Sequence, residues 1–208
     1  MLQSVDPSFQ KENQEKLTVI LDLDETLIHT LMDSSREEEQ KEEEDGKKTG
    51  FHLQVSGHEF TVLLRPNLED FLQKASAKYD LILFTASTEE YTKEILKKID
   101  PQNRFFKGYF FREHCTPFVF QNQKIYMKDL RLINKFLGRV VLVDNTIANL
   151  GFQPENGIPI TSFLGDLEDN ALNVLLQFLE GIEGFSDVRN YLGSIFRLKR
   201  YFEIPMTS

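Results

Sequence analysis

Polar side chains that could do chemistry follow three short apolar runs of the chain. Asp22 and Asp24 follow the first run, Thr85 follows the second, and Asp144 and Asn145 follow the third. Continuous apolar runs are typical of parallel strands that are buried on both faces. Because ligands bind beyond the carboxyl ends of such strands, we expect these five residues to converge at one edge of a sheet.

This group of residues would suit phosphoryl chemistry that depends on a metal ion. Carboxylate and amide oxygens are the ligands that Mg²⁺ prefers. Repulsion would oppose bringing Asp22, Asp24 and Asp144 together unless a cation offset it. One aspartate could act as a nucleophile, and a second could transfer protons. Such a site also needs a lysine to balance the charge, and Lys128 is the candidate.

The rest of the chain predicts elements that would position these residues. Alternating apolar residues at 51–64 indicate a hairpin, and apolar spacing after Pro66 predicts a helix. The spacing of Ser87 and Glu90 indicates a capping box at the start of a second helix. Further predicted elements are strands at 108–111 and 158–160, a helix at 171–179 closed by Gly181, and a docking helix with a tail after 185. Alternating strands and helices predict right-handed βαβ units and a mostly parallel sheet with helices on both faces.

Composition and charge limit the class of protein. The 208 residues carry a net charge of −9, which excludes an overall basic footprint for nucleic acid. The one cysteine, Cys115, excludes an intrachain disulfide scaffold and fits a reducing compartment. The chain has no run of about 18 apolar residues and no signal-like or transit-like N-terminus. We therefore expect an intracellular protein, nuclear or cytoplasmic, without a membrane segment and without direct binding to nucleic acid.

The chain divides into a single domain with polar flanks. We predict an N-terminal tail at 1–16, a catalytic domain at 17–192 and a C-terminal tail at 193–208. Residues 33–48 contain eight acids and four bases and no apolar residue, so this segment cannot contribute to a core. It is interpreted as a solvated insert, with a partner-facing acidic patch as the alternative.

Several motifs resemble those of one family. Residues 22–26, DLDET, match the DxDx[TV] motif of the haloacid dehalogenase superfamily. The longer string VILDLDETLIHT resembles the small C-terminal-domain phosphatases, the Fcp/Scp family, also called NLI-interacting-factor-like. Matching stretches follow in order at 64–66, 83–87, 111–115, 126–130, 143–145 and 154–159. The resemblance covers 17–192 and implies a three-layer, haloacid-dehalogenase-like α/β fold with a small β-hairpin insert after the first strand.

The resemblance also implies a role for each catalytic residue. Asp22 would attack phosphorus and form an aspartyl-phosphate, and Asp24 would be the general acid and base. Thr85 would hydrogen-bond the phosphoryl group. Lys128 would steady the nucleophile and neutralise the phosphoryl charge.

Metal and substrate contacts are implied in the same way. Asp22, the backbone carbonyl of Asp24, and Asn145 would hold Mg²⁺, with Asp144 beside them through water or hydrogen bonds. Thr85, Ala86 and Arg112 would bind substrate, with Arg112 at the mouth of the pocket.

Departures from the family pattern concern specificity. The acidic 33–48 segment lies where the family has an insert lined with apolar residues, and an anionic loop would repel a multiply phosphorylated tail. The interval from Arg112 to Lys128 is longer than usual. The usual late tryptophan is absent, and Phe163 is its candidate replacement. The substrate is therefore left open between phosphoserine of the RNA polymerase II C-terminal domain and another phosphoprotein.

The sequence thus predicts a monomeric, Mg²⁺-dependent protein serine/threonine phosphatase. A cysteine-based phosphatase is excluded because Gln121, not arginine, is the sixth residue after Cys115. A small-metabolite phosphatase is disfavoured because no domain-sized cap lies between the motifs. The remaining alternative is a catalytically weak phosphopeptide-binding or scaffold module of the same fold.

Overall fold

The computed structural model describes residues 16–32, 50–120 and 123–203. The predicted acidic insert, nearly all of the predicted N-terminal tail and the last five residues of the chain lie outside these ranges.

A five-stranded parallel sheet forms the centre of the molecule, in the order β10-β9-β1-β5-β6. Its strands are β1 (Thr18–Leu21), β5 (Asp80–Phe84), β6 (Phe106–Phe110), β9 (Val140–Asp144) and β10 (Gly157–Pro159). The three apolar runs form β1, β5 and β9, and β1 lies between the other two. Leu21 pairs with Leu83 on one side and with Val143 on the other. This register confirms that the carboxyl ends of the three runs are neighbours.

The four longer α-helices of the described residues cover one face of this sheet. They are α1 (Leu68–Lys78), α2 (Glu89–Ile99), α3 (Ala171–Ile182) and α4 (Arg189–Phe196). Their buried side chains pack with alternate strand residues, Val19, Leu21, Val141 and Val143 among them, in the larger apolar core. Successive side chains of a strand point to opposite faces of the sheet, so these residues are the half of each strand that faces the helices.

Shorter elements cover the opposite face. Ile20, Leu142 and Phe84 pack there against 3₁₀ helices at 130–133, 137–139 and 147–150 and against Tyr126. Tyr126 belongs to an antiparallel hairpin, β7 (Thr116–Phe120) and β8 (Gln123–Met127). The expectation of helices on both faces is therefore met by α-helices on one face and by 3₁₀ turns with a hairpin on the other.

A small antiparallel sheet follows the first strand, as predicted, but it has three strands. The predicted hairpin is β3 (Gly50–Val55) and β4 (His58–Leu64), and β2 (Ile28–Met32) pairs with the other edge of β4. Ser56 and Gly57 form the turn with φ of 50° and 81°, which a two-residue hairpin favours. The acidic segment connects β2 to β3 in sequence.

Two helix boundaries differ from the prediction. The N-cap of α2 is Thr88 and not Ser87, because the Ser87 hydroxyl donates to Asp24 instead of capping the helix. Helix α3 continues through Gly181 to Ile182, whose buried side chain packs in the core. Helix α4 runs through residue 192, the last residue of the predicted domain. Leu198 is also buried, and it precedes α5 (Lys199–Glu203).

Candidate active site

A tight loop after β1 presents the two aspartates of the DLDET motif. The backbone N–H of Asp22 continues the β1–β9 pairing by donating to Val143 O at 3.0 Å. The chain then turns back, because the N–H groups of Thr26 and Leu27 both donate to Leu23 O. Glu25 adopts a positive φ of 57° in this turn. The loop leaves Asp22 buried at the end of the strand and Asp24 partly exposed above it.

Lys128 joins the ends of β1 and β9 by bridging two carboxylates. Its Nζ atom lies 2.6 Å from Asp22 Oδ1 and 2.7 Å from Asp144 Oδ2, and the Lys128 side chain is fully buried. The other oxygen of Asp144, Oδ1, accepts from the backbone N–H of Thr146 and from Asn149. Both carboxylate oxygens of Asp144 therefore accept hydrogen bonds from protein donors.

Burial makes the charge state of Asp22 and Lys128 depend on each other. Loss of solvent raises the pKa of Asp22 to about 7, with Asp144 and Asp24 adding to the rise and Lys128 opposing it. Burial acts to lower the pKa of Lys128, but attraction to Asp144 and Asp22 outweighs burial and raises that pKa above its ordinary value. One ammonium thus faces several carboxylates. The region around Asp22, Asp24 and Asp144, called the crevice below, has an excess of negative charge that a cation would offset.

Asp24 is held on the other side of the crevice by the start of α2. The Ser87 hydroxyl donates to Asp24 Oδ2 at 2.7 Å, and the Tyr91 hydroxyl donates to Asp24 Oδ1 at 2.7 Å. Tyr91 is itself 2.6 Å from the hydroxyl of Thr30 on β2. Both carboxylate oxygens of Asp24 are therefore fixed by residues that do not touch Asp22.

Thr85 and Arg112 both bind the turn that follows β5. The buried Thr85 hydroxyl accepts the backbone N–H of Ser87 at 3.0 Å, which shapes the turn after β5. Arg112 is exposed at the rim, and its Nε donates to Ala86 O at 2.6 Å. The Arg112 guanidinium also lies 5.3 Å from the centre of the Tyr126 ring.

The oxygen atoms near Asp22 fit a hard divalent cation. The Thr26 hydroxyl donates to Asp22 Oδ2 at 2.9 Å and lies 3.4 Å from Asn145 Oδ1, so that one hydroxyl spans the two groups. Asn145 is oriented by donating to the Ser162 hydroxyl at 3.0 Å, which turns its oxygen toward Thr26. Within the described ranges, no group of three or more His, Cys, Asp or Glu side chains is arranged around a metal position. The donor set is therefore a carboxylate with an amide, a combination that suits Mg²⁺ with several waters.

Arg65 connects this loop to the segment before α3. Its fully buried guanidinium makes two parallel hydrogen bonds of 2.8 Å to Asp169 and donates to Thr26 O at 2.9 Å. It also donates to Thr161 O at 2.9 Å. Arg65 thus fixes the backbone on both sides of the Asn145–Thr26 contact.

Sequence reasoning missed several residues that touch the predicted ones. Thr26, Tyr91, Asn149 and Ser162 all contact a predicted site residue. Thr26 lies within the matched DLDET string, so its position was a usable signal. Asn149 lies five residues after Asp144 in a 3₁₀ turn, and Ser162 lies in a loop, where no periodicity marks a contact.

Comparisons with solved structures identify the fold. One similar solved structure is fission yeast Fcp1, an RNA polymerase II CTD phosphatase, bound to beryllium fluoride. The match covers 88% of this chain and 56% of that chain, with a TM-score of 0.54 and 23% sequence identity. A second Fcp1 structure matches over 93% of this chain and 55% of the other, with a TM-score of 0.57 and 23% identity. These likenesses establish the three-layer, haloacid-dehalogenase-like fold.

Sequence comparison identifies the family of the chain. The profile of the NLI interacting factor-like phosphatases matches residues 17–189, and the chain belongs to this family. It is 36% identical over 191 residues to CTD small phosphatase-like protein 2 of Dictyostelium discoideum, covering 91% of this chain and 31% of that protein. It is 31% identical over 188 residues to human carboxy-terminal domain RNA polymerase II polypeptide A small phosphatase 1, covering 89% of this chain and 67% of that protein.

Other relatives carry different names. CTD nuclear envelope phosphatase 1 homolog of Drosophila melanogaster is 34% identical over 190 residues, with 89% of this chain and 75% of that protein covered. The chain spans about a third of the length of the Dictyostelium relative, at 31%, and of CTD small phosphatase-like protein 1 of Caenorhabditis elegans, at 35%. None of the helices in the described ranges has the length and apolarity that a membrane crossing requires.

Proposed function

We propose that this chain is a Mg²⁺-dependent protein serine/threonine phosphatase that works through an aspartyl-phosphate at Asp22. The observation that carries the proposal is the buried bridge from Lys128 to both Asp22 and Asp144, with Asp24 held separately. One carboxylate is thereby fixed for attack while a second stays in reach for proton transfer. Phosphatase relatives in the same family support this assignment.

In the first step, an oxygen of Asp22 forms a bond to phosphorus while the bond from phosphorus to the serine oxygen breaks. Lys128 and Thr26 fix the two Asp22 oxygens at 2.6 Å and 2.9 Å. The leaving serine oxygen takes the proton of Asp24. The Thr85 hydroxyl and the Lys128 ammonium stabilise the phosphoryl oxygens as charge builds on them.

In the second step, Asp24 takes a proton from water, and the water oxygen attacks phosphorus. The bond from phosphorus to Asp22 breaks, which releases phosphate and restores the carboxylate. Mg²⁺ held by Asp22, the Asp24 carbonyl and Asn145 would neutralise phosphoryl charge and fix the angle of attack. Ser87 and Tyr91 keep Asp24 in the same position for both proton transfers.

The shape of the insert supports a phosphoprotein substrate over a small metabolite. Between the DLDET motif and α1, the described part of the insert is a three-stranded sheet and not a separate domain. It approaches the site at Phe60, on its central strand β4, whose ring centroid lies 6.1 Å from that of Tyr91. A crevice bordered by a small sheet leaves room for the chain on both sides of a phosphoserine, as on the RNA polymerase II C-terminal domain or another phosphoprotein.

We also propose that the chain acts as a monomer in the nucleus or the cytoplasm. Relatives carry names that refer to RNA polymerase II or to the nuclear envelope, which supports the proposed location. Light scattering of the purified chain tests the first part.

A substrate panel tests the proposed function. Rates are compared for p-nitrophenyl phosphate, phosphoserine and phosphothreonine peptides, and a sugar phosphate, with Mg²⁺ and with chelator. We expect Mg²⁺-dependent turnover of p-nitrophenyl phosphate and peptides and little turnover of the sugar phosphate. A preference for the sugar phosphate would contradict a protein substrate. Peptide binding without turnover of any substrate would favour the scaffold alternative.

A further inference from the structure

Two cationic side chains share one aromatic ring at the rim of the crevice. The Arg112 Cζ atom lies 5.3 Å from the centre of the Tyr126 ring, and the Lys124 Nζ atom lies 5.1 Å from it. Arg112 and Lys124 are both exposed, and neither forms a salt bridge with a carboxylate among the residues that the structure describes. Cation–π contacts hold both charges in place without neutralising them.

This pair lies next to the position of the substrate. The backbone N–H of Arg112 donates to Ser87 O at 2.9 Å, and Ser87 is the residue that holds Asp24. Tyr126 lies on β8, two residues before Lys128, and packs against the core cluster that contains Phe84, the last residue of β5. A group that neighbours the reacting phosphate in a peptide can therefore reach the ring and both cations.

We propose that Lys124, Tyr126 and Arg112 form a subsite for a second anionic group of the substrate. This subsite rests on the proposed function. The preferred substrates would be phosphopeptides that carry a carboxylate or a second phosphate within a few residues of the reacting phosphoserine. Two like charges on one ring repel each other, and an anion shared between them offsets that repulsion. A carboxylate or phosphate also accepts charge-assisted hydrogen bonds from both side chains.

Lys124 is the residue of this subsite that can be replaced without changing a residue of the catalytic site. It lies on β8 and contacts none of the residues that hold Asp22 or Asp24. The matched control is Lys107, an exposed lysine on β6 near the amino end of that strand, away from the crevice. Lys124→Gln and Lys107→Gln remove the same charge from two different sheets, and Lys124→Arg keeps the charge at the rim.

The test measures kcat/KM for matched phosphoserine peptides whose flanking residue is Ser, Asp or phosphoserine. In the wild-type chain we expect the anionic peptides to be preferred by about five- to tenfold, as for one or two partly exposed ion pairs. Lys124→Gln should reduce that ratio by about threefold or more, while Lys107→Gln and Lys124→Arg retain it. Raising ionic strength should reduce the ratio as well, because exposed charges are screened.

The outcomes separate this inference from the proposed function. Equal kcat/KM for all peptides, or an equal ratio in Lys124→Gln and Lys107→Gln, would overturn the subsite while phosphatase activity stands. Turnover of p-nitrophenyl phosphate with no peptide hydrolysed would overturn the proposed protein substrate, and the subsite with it.

Discussion

The Nζ atom of Lys128 lies 2.6 Å from Asp22 Oδ1, and at most 7% of either side chain is exposed. The same nitrogen lies 2.7 Å from Asp144, so a single buried ammonium balances two carboxylates. In a buried group of this kind, loss of one partner leaves the others uncompensated. Lys128 is therefore expected to hold the local fold as well as the nucleophile.

Replacing Lys128 with Met should abolish catalysis and lower stability. Two carboxylates would then face each other without a cation, and we expect a loss of about 3–5 kcal/mol in the free energy of unfolding. Urea unfolding measures this loss. Adding Asp144→Asn to Lys128→Met removes the repulsion and should recover part of the stability but none of the activity. Equal stability of the single and double variants would contradict the charge argument.

Tyr91 should matter most when the leaving group needs a proton. Tyr91→Phe removes the hydrogen bond to Asp24 Oδ1 while keeping the ring against Phe60. We expect kcat/KM for a phosphoserine peptide, which reports the first step, to fall by about tenfold or more, as for the loss of one hydrogen bond to a charged group. For p-nitrophenyl phosphate, whose leaving group departs as an anion, the fall should be about twofold or less.

The matched control for this substitution is Tyr109→Phe. The Tyr109 hydroxyl contacts Asn103 and no residue of the site, so both rates should stay at the wild-type level. An equal loss on both substrates in Tyr91→Phe would show that Tyr91 supports the fold or binds substrate and does not position the proton donor.

The ion pair between Arg65 and Asp169 should make stability depend on pH in the acid range. Hydrogen bonds from Arg65 hold the pKa of Asp169 below its ordinary value. The stability that this shift contributes is full above the pKa of the unfolded aspartate, about 3.9, and is lost as pH falls toward the lowered value. Asp169→Asn should therefore cost about 3 kcal/mol at pH 6 and clearly less at pH 3.

Urea unfolding of both proteins at the two pH values checks this prediction. Asp70→Asn is the control, because the pair of Asp70 and Lys74 is about half exposed, at 52% and 58%. Its cost should stay under about 1 kcal/mol. A cost of Asp169→Asn that does not change between pH 6 and pH 3 would contradict the assigned role of the ion pair.

Cys115 should be dispensable for the reaction although it lies near the site. Its thiol is 3.7 Å from Thr85 O and 3.8 Å from Phe111 O, and burial raises its pKa to about 11. At neutral pH the thiol is therefore protonated and a poor nucleophile. Cys115→Ala should retain activity within about threefold, a change comparable to a small packing loss. Loss of activity to the level of Asp22→Asn would contradict the assignment of the nucleophile.

Much of the sheet could be predicted because its strands are apolar on both faces. The runs that precede Asp22, Thr85 and Asp144 contain few polar residues, and only a central parallel strand buries such a run completely. The convergence of those three residues followed from topology alone. Strand β2 was missed because Ile28–Met32 is only half buried and directly follows the site loop, so it has no apolar run of its own.

The partners of the site residues were harder to predict, because they depend on tertiary contacts. Ser87 has the spacing of a capping residue, yet its hydroxyl donates to Asp24, and the charged acceptor outweighs a helix cap. Gly181 has the composition of a helix end, yet burial of Ile182 extends α3 past it. Local propensity is a weak guide where a buried contact competes with it.

The most direct test of the account is to trap the covalent intermediate on Asp22. The chain is mixed with p-nitrophenyl phosphate and Mg²⁺, quenched in acid during turnover, and the peptide that contains residues 17–30 is analysed by mass spectrometry. We predict a phosphoryl group on Asp22 in the wild-type chain, none with chelator, and none in Asp22→Asn, which should also lack turnover. Phosphate on another side chain, or full turnover by Asp22→Asn, would contradict the central claim.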